Sequence, residues 1–519
     1  MSNVEAALAP SSEALADPPP LTGLSLALAG FMLALSNFIV VLDVTIANVS
    51  VPHIAGSLAV APSEGTWVIT SYSVAEAITV PLTGWLGSRF GAVRVFLVAL
   101  IGFGCCSFLC GLAPNLSALI LFRVLQGLFG GPIMPMSQAL MLRVFPKDKA
   151  STAFALWSMT TVVAPIAGPI LGGAISDNWT WPWIFFINLP VIALAATFSM
   201  RLLRNHETPK ISARIDYNGL CLLVVWVAAL QILLDKGQEE DWFSSPLIVT
   251  LAIIAVVGFA AFIIWELTEA HPIVDLSLFK NRSFTVGTIA QSLGFGAFFA
   301  QIVLIPLWLQ TTLGYTATWA GYTTSFLGIL AVVMSPVAAA LIGKIDVRFA
   351  VAFGLCWLGG VSFLRTQWVT DISFFSVSLP QMLQGFGMPF FFIGTMTLAL
   401  GRIPAEKTAS AAGLLSFVRT LAGAFATSLA TTAWENSAAK DRSELVGLLH
   451  PRAFVEQLSA MNFLPAQIRS VLESTVNAES QTLSANHVFL ACMVILLMSA
   501  AITWAAPKPD KAVDLTATH

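Results

Sequence analysis

The chain has 519 residues, of which 57% are hydrophobic and only 10% are charged, with 25 Lys and Arg against 28 Asp and Glu and a formal net charge of -3. Soluble proteins carry about 25% charged residues, and a mean hydropathy of +0.82 leaves too few polar side chains to cover a water-exposed surface. The composition excludes a disordered chain, a disulfide scaffold and a nucleic-acid binder, and points to an all-α integral membrane protein.

Residues 1–21 read as a tail. They hold Glu5, Glu13 and Asp17 but no Lys or Arg, so they lack the positive start of a cleavable signal. A spanning helix needs roughly 20 mostly apolar residues. About fourteen runs qualify, at 22–50, 65–87, 94–113, 116–142, 151–175, 182–203, 215–234, 246–268, 284–309, 318–342, 349–366, 373–400, 408–433 and 486–506. A polar stretch at 435–485 reads as the one sizeable extramembrane loop, and 507–519 as a second tail. The six cysteines all fall in apolar runs, where they read as small packing residues.

Lys and Arg in the connections set the orientation. Arg89, Arg94, Arg143, Lys147, Lys149, Arg201, Arg204, Lys210, Arg214, Lys280, Arg282, Lys344, Arg348, Arg402, Lys407, Lys508 and Lys511 fall on one side. Lys236 and Arg365 in short loops, and Lys440, Arg442, Arg452 and Arg469 in the long one, fall on the other. This bias predicts that both termini are cytoplasmic.

The chain contains a duplication. Arg123-Val124-Leu125-Gln126-Gly127 is echoed by Gln381-Met382-Leu383-Gln384-Gly385, Arg143 to Ser151 by Arg402 to Ser410, and Gly84 with Arg89 by Gly343 with Arg348, at an offset of 258–259. That offset covers eight spans rather than six. It predicts a six-helix half at 22–204, two inserted helices at 213–268 and a second six-helix half at 284–506. Parallel six-span halves are the architecture of major facilitator transporters, with the substrate site between them near the midplane.

Charges inside spans cost about 2.5–3.5 kcal/mol each, so Asp43, Glu76, Arg123 and Arg419 are the leading functional candidates. The offset carries Asp43 onto Gln301 and Arg123 onto Gln381, so the first half has an acid and a base where the second has neutral amides. Amides do not titrate, which places proton chemistry in the first half, at Asp43 and Arg123 with Glu76 as a further candidate. Gln126, Gln301, Gln381 and Arg419 are candidates for the substrate cavity. Gly168, Pro169, Gly172 and Gly173 in span 5 suit close helix packing and a pliable interface. Gly84, Gly87, Arg89, Gly91 and Arg94 suit a tight basic turn. No P-loop, metalloprotease or nucleophile-elbow motif is present, and the histidines are scattered, so no enzyme chemistry, metal or cofactor is expected.

Over about residues 24–506 the chain resembles the fourteen-span drug:proton antiporters of the major facilitator superfamily, and within them the EmrB-type inner-membrane pumps. The residues that carry the resemblance are Leu42 to Val49, Gly84 to Arg94, Leu121 to Gly131, Gly168-Pro169 with Gly172-Gly173, Trp183 to Pro190, Trp265 to Phe279 and Thr316 to Gly321. Ser88 stands where the superfamily loop often has an acid. The resemblance implies a major facilitator fold and efflux of hydrophobic drugs driven by the proton gradient, with no cofactor. It also implies a bacterial inner-membrane location, with an EmrA-like periplasmic adaptor and a TolC-like outer-membrane channel as partners. Adaptor docking at 435–485 is a further expectation. The alternative is a carrier of a sugar, peptide, siderophore or organic acid on the same fold.

Overall fold

The computed structural model describes residues 21–146, 149–210, 216–270, 272–448 and 464–508. The predicted tail at 1–20 and Lys147, Arg214, Arg452 and Lys511 lie outside these residues. The described regular elements are helical: α1 Gly23–Ser57, α2 Pro62–Gly65, α3 Trp67–Phe90, α4 Ala92–Gly111, α5 Leu116–Gly130, α6 Ile133–Val144, α7 Ala150–Asn178, α8 Trp183–Phe186, α9 Asn188–Leu202, α10 Tyr217–Lys236, α11 Pro246–Thr268, α12 Arg282–Thr311, α13 Ala317–Ile342, α14 Val347–Arg365, α15 Phe374–Leu400, α16 Thr408–Leu448 and α17 Pro465–Ile502.

Among the described residues, 12 helices are long and apolar enough to cross a membrane, and the bent pair Ala150–Pro165 and Ile170–Ser176, meeting at 41°, makes up to 13. The remaining predicted span is α3, a 24-residue helix of lower hydrophobicity. The predicted span 116–142 divides into α5 and α6 at Gly131-Pro132, where proline removes a backbone donor.

The helix pairings repeat along the chain. Helix α1 packs on α7 and α9, α5 on α3 and α4, and α4 on α9; likewise α12 packs on α16 and α17, α15 on α13 and α14, and α14 on α17. The two groups meet where α7 lies on α13 and α15, and where α16 lies on α3 and α6. Between them in sequence, α10 and α11 pack on each other. Helix α10 also lies against α3 and α16, whereas α11 turns Ile253, Val256, Val257, Ile264 and Leu267 outward. That outward surface suits contact with lipid chains.

The side of the bundle that carries the connections after α3, α6, α9, α11, α13 and α15 is called here the basic face. There Gly91 takes a φ of +95°, open to glycine without strain. It brings α4's first turn onto the Glu207 carboxylate, which accepts from Val93 N (2.9 Å) and Arg94 N (3.1 Å). An anion at a helix N-terminus is well placed electrostatically. Arg89 stacks its guanidinium over Trp85 and Phe90, at 5.6 and 5.8 Å. Asp346 caps α14 and binds Arg348 at 2.7 Å, and the hydrogen bond from Arg348 holds its carboxyl below the usual range. At Asp275 burial pushes upward, but hydrogen bonds from Lys407 and Ser277 outweigh it and hold the carboxyl low. Each lowered carboxyl stabilises the fold above the ordinary carboxylate range and loses that contribution as pH falls through its lowered value.

Helices cross at this face with little clearance. A Cβ added at Gly84 of α3 would stand 2.6 Å from the Ser410 Cα of α16, and one at Gly413 would stand 3.2 Å from the Val80 carbonyl oxygen. Overpacking of this kind costs about 1–3 kcal/mol, which is roughly 5- to 150-fold in a two-state population. Gly84→Val is therefore expected to deplete this closed arrangement and slow transport by at least about fivefold, while the protein still inserts. Efflux rate against membrane yield checks it.

The stretch predicted as a loop at 435–485 is corrected at both ends, while 449–463 lie outside the described residues. Helix α16 continues unbroken to Leu448 and α17 begins at Pro465. A helix of 41 residues is roughly 60 Å long, twice the bilayer's hydrocarbon thickness. The two helices therefore leave the membrane as an antiparallel pair. Trp434 Nε1 donates to Gln481 O (2.9 Å), and Arg442 meets Glu473 at 3.1 Å. Lys236 and Arg365 are also corrected: neither lies in a loop, and each sits buried in the last turn of its helix.

Candidate functional site

Asp43 and Arg123 meet in the first helix group. Arg123 Nη1 donates to Asp43 Oδ2 at 2.6 Å, with both side chains 1% exposed or less. The other carboxylate oxygen accepts from Asn188 Nδ2 (2.6 Å) and Gln126 Nε2 (3.1 Å). Arg123 also donates to Gln126 Oε1 (2.8 Å) and Val68 O (3.0 Å), and its guanidinium lies 4.3 Å from the Tyr72 ring centroid. The helices α1, α3, α5 and α9 thus converge on one ion pair. A buried ion pair recovers its desolvation cost only when remaining polar groups are also satisfied; here three donors serve the two carboxylate oxygens, while Arg123 Nη2 and Asn188 Oδ1 have no hydrogen-bond partner.

The span 5 glycines stand beside this pair. A Cβ at Gly168 would meet the Thr45 side chain, and one at Gly172 would come 3.1 Å from Ile46 O. These glycines let α7 approach α1 just past Asp43. Gly173 has nothing within 4 Å of an added Cβ. Pro169 lies in the same helix.

In the second group the corresponding place carries a different charge pattern. Gln301, Gln381 and Gln384 turn their carbonyl oxygens onto Arg365, which is fully buried; the Gln381 contact is 2.8 Å. Ser362 Oγ donates to Gln301 at 3.1 Å. The duplication shifts Arg365 onto Ser107, so the second half has moved its cation from α15 to α14. Among the described residues, no carboxylate forms an ion pair with Arg365. Arg365→Met leaves amide oxygens without donors, each worth roughly 1–3 kcal/mol when buried. Relief of the buried charge offsets part of this. A net loss of about 2 kcal/mol is expected, read as a lower melting midpoint.

Between the two groups lies a cavity of about 450 Å³. Helix α1 contributes Val40, Val41, Val44, Thr45 and Asn48; α3 contributes Ile69, Thr70, Ser73 and Glu76; α12 contributes Phe295 and Phe299. Helix α16 adds Arg419, Thr420, Gly423, Thr427, Ser428 and Thr431, and α10 adds Gln231, Leu234 and Asp235. The cavity reaches the face opposite the basic one at Thr66, Gln238 and Glu239. Toward the basic face it ends at Met134 and Thr161, below which α3 and α16 close together.

Of the predicted cavity residues, Arg419 lines this space. Gln126 instead contacts Arg123, and Gln301 and Gln381 contact Arg365. Arg419 is 1% exposed; its Nε and Nη1 have no hydrogen-bond partner, and Nη2 points at the Met134 sulfur. Its guanidinium lies 5.1 Å from Phe295 and 5.3 Å from Trp157. Glu76, on the opposite helix group, also lines the cavity. Asp43 does not, although Val44 and Thr45 beside it do.

Sequence reasoning missed Asn188, Arg365, Glu207 and Asp235. Asn188 carried a usable signal, since it is a polar residue at the start of an apolar run inside the Trp183 to Pro190 match. Among the described residues, no group of three or more His, Cys, Asp or Glu is placed to hold a metal.

The model of the Major Facilitator Superfamily matches residues 33–427. The fatty acid resistance protein FarB of Neisseria gonorrhoeae is 43% identical over 498 residues, covering 95% of this chain and 98% of FarB. The multidrug export protein EmrB of Escherichia coli K12 is 43% identical over 496 residues, covering 94% and 97%. The crystal structure of the human organic anion transporter MFSD10 superposes with a TM-score of 0.53 at 15% identity, covering 91% of this chain and 98% of that one, a likeness of fold.

Proposed function

The chain belongs to the Major Facilitator Superfamily, in its EmrB-type branch of multi-pass efflux transporters, and from that premise we propose that it exports hydrophobic drugs and toxic compounds in exchange for protons. The observation that carries this is the central cavity, reached from one face and closed at the other by the crossing of α3 and α16. A carrier that rocks between two such states needs a close but reversible seal. Aliphatic side chains and the Phe295 and Phe299 rings give the cavity apolar surface, interleaved with many hydroxyls, two amide-bearing helices and the charged Glu76, Asp235, Glu239 and Arg419, which suits amphipathic ligands with an apolar body.

The basic face is cytoplasmic on this reading, with both termini there, by the positive-inside bias. The membrane is the bacterial inner membrane, and the open mouth and the α16–α17 projection are periplasmic. That projection is the element positioned to meet an EmrA-like adaptor, which would pass the drug to a TolC-like channel. The proton gradient drives the exchange without a cofactor. Asp43, Arg123 and Glu76 are the proton-coupling groups, with Glu76 the carboxylate open to the cavity.

Everted vesicles with an acid interior test the reading. Adding an exported drug is expected to release protons from the interior. Drug flux indifferent to the pH gradient would overturn it.

A further inference from the structure

The inserted helices are placed to do more than fill the space between the halves. Helix α10 presents Gln231, Leu234 and Asp235 to the cavity. Gln231 is 5% exposed, donates from Nε2 to Asp235 Oδ1 at 3.1 Å, and leaves its carbonyl oxygen without a hydrogen-bond donor. One helical turn on, Asp235 lies beside Thr70 and Gln231, both neutral. The nearby cation, Lys236, is engaged by Glu239 at 2.6 Å and by Thr66 Oγ1 at 2.6 Å. From α16 the facing groups at this level are neutral Ser428 and Thr431, and Glu435 beyond them is held by Gln238. Among the described residues, Asp235 thus has no ion-pair partner, and a buried acceptor stands unused next to it.

The level of this site follows from two helices. Ser428 Oγ donates to Leu234 O at 3.0 Å, and Arg419 lies about 13 Å deeper along α16. On α3, Glu76 lies about 9 Å deeper than Thr70. The cavity therefore has an anionic upper level built by α10 and a deeper level where the Arg419 guanidinium and the Glu76 carboxylate oppose each other.

We propose that the cavity takes amphipathic amines. The ammonium group donates to the Asp235 carboxylate and the Gln231 carbonyl oxygen, and the apolar body points down among Val44, Phe295 and Phe299. Arg419 fixes that direction by offsetting Glu76 at the deep level, so that Asp235 is the lining carboxylate left without a facing cation. The inserted helix pair is then a ligand-binding wall, and a proton arriving from the open face competes with the ammonium group for Asp235. This deepens the antiport reading and rests on it only for the direction of transport.

Equilibrium binding to the purified full-length chain separates the two. The probes are naphthylbutylamine, its alcohol and its carboxylic acid, followed by naphthalene fluorescence. The amine is expected to bind at least about tenfold tighter than the alcohol. Asp235→Asn is expected to erase that preference, while alcohol binding, which reports an intact cavity, moves less than about twofold. Gln231→Leu, which keeps the charge, is expected to weaken the amine about threefold. Equal binding of amine and alcohol by the natural chain would overturn the proposal. So would an amine preference that survives Asp235→Asn, or one lost only in Glu76→Gln. Amine binding that depends on Asp235, together with no proton-driven flux in proteoliposomes, would leave the site standing and sink the antiport reading.

Discussion

Asp43→Ala is expected to lower stability by about 3–5 kcal/mol, the cost of stripping one partner from a buried ion pair. Arg123 would keep its charge at a depth where each charge already costs about 2.5–3.5 kcal/mol. Asn188 and Gln126 would each lose an acceptor that now stands within 3.1 Å. The melting midpoint in micelles should fall sharply, along with membrane yield. The double variant Asp43→Ala with Arg123→Met removes both charges and should regain a substantial part of the loss, because two absent charges leave none unpaired. A midpoint unmoved by Asp43→Ala, with proton coupling abolished, would instead assign Asp43 to proton exchange alone.

Glu76→Gln is expected to abolish gradient-driven efflux while changing the melting midpoint little. Glu76 is half-buried, lines the cavity and has no ion-pair partner among the described residues. Its replacement by an amide therefore breaks no ion pair, although it removes the carboxylate whose field reaches the buried Arg419. A cation bound about 9 Å away would interact with the Glu76 carboxylate by roughly 2 kcal/mol at an effective dielectric near 20. That changes proton binding by more than about tenfold, in the sense antiport needs, since cation and proton each weaken the other. Drug-induced proton release from vesicles should fall at least about tenfold, whereas drug exchange without a gradient should persist. Retained proton release would clear Glu76 of the coupling role.

The order of helices was legible because span length and hydrophobicity are strong signals, and the Arg123-to-Gln381 echo located the repeat. The pairing of Asp43 with Arg123 was legible for a similar reason: few charges lie inside spans, and such charges seek one another. Arg365 was not, because an arginine at the edge of an apolar run reads as a membrane anchor. Only the packing of α12, α14 and α15 turns it inward. Asp235 was hidden by its neighbour Lys236, which makes the end of α10 read as a solvated rim. The extension of α16 past the membrane was lost because apolar continuity, the signal used for spans, stops where the helix leaves lipid while the helix itself does not.

The length of α16 makes it a pointer as well as a wall. It runs from the tight crossing at Ser410, past Arg419, to a tip outside the membrane near Leu448. Rigid-body rocking of helix groups is a standard mode of such transitions. A tilt of about 10° about the Ser410 end would swing the far end of a roughly 60 Å rod by about 10 Å. Any partner gripping that end would sense cavity opening as a displacement, and its load would feed back on the seal. Transport and coupling to a downstream conduit would then be geared through one rod.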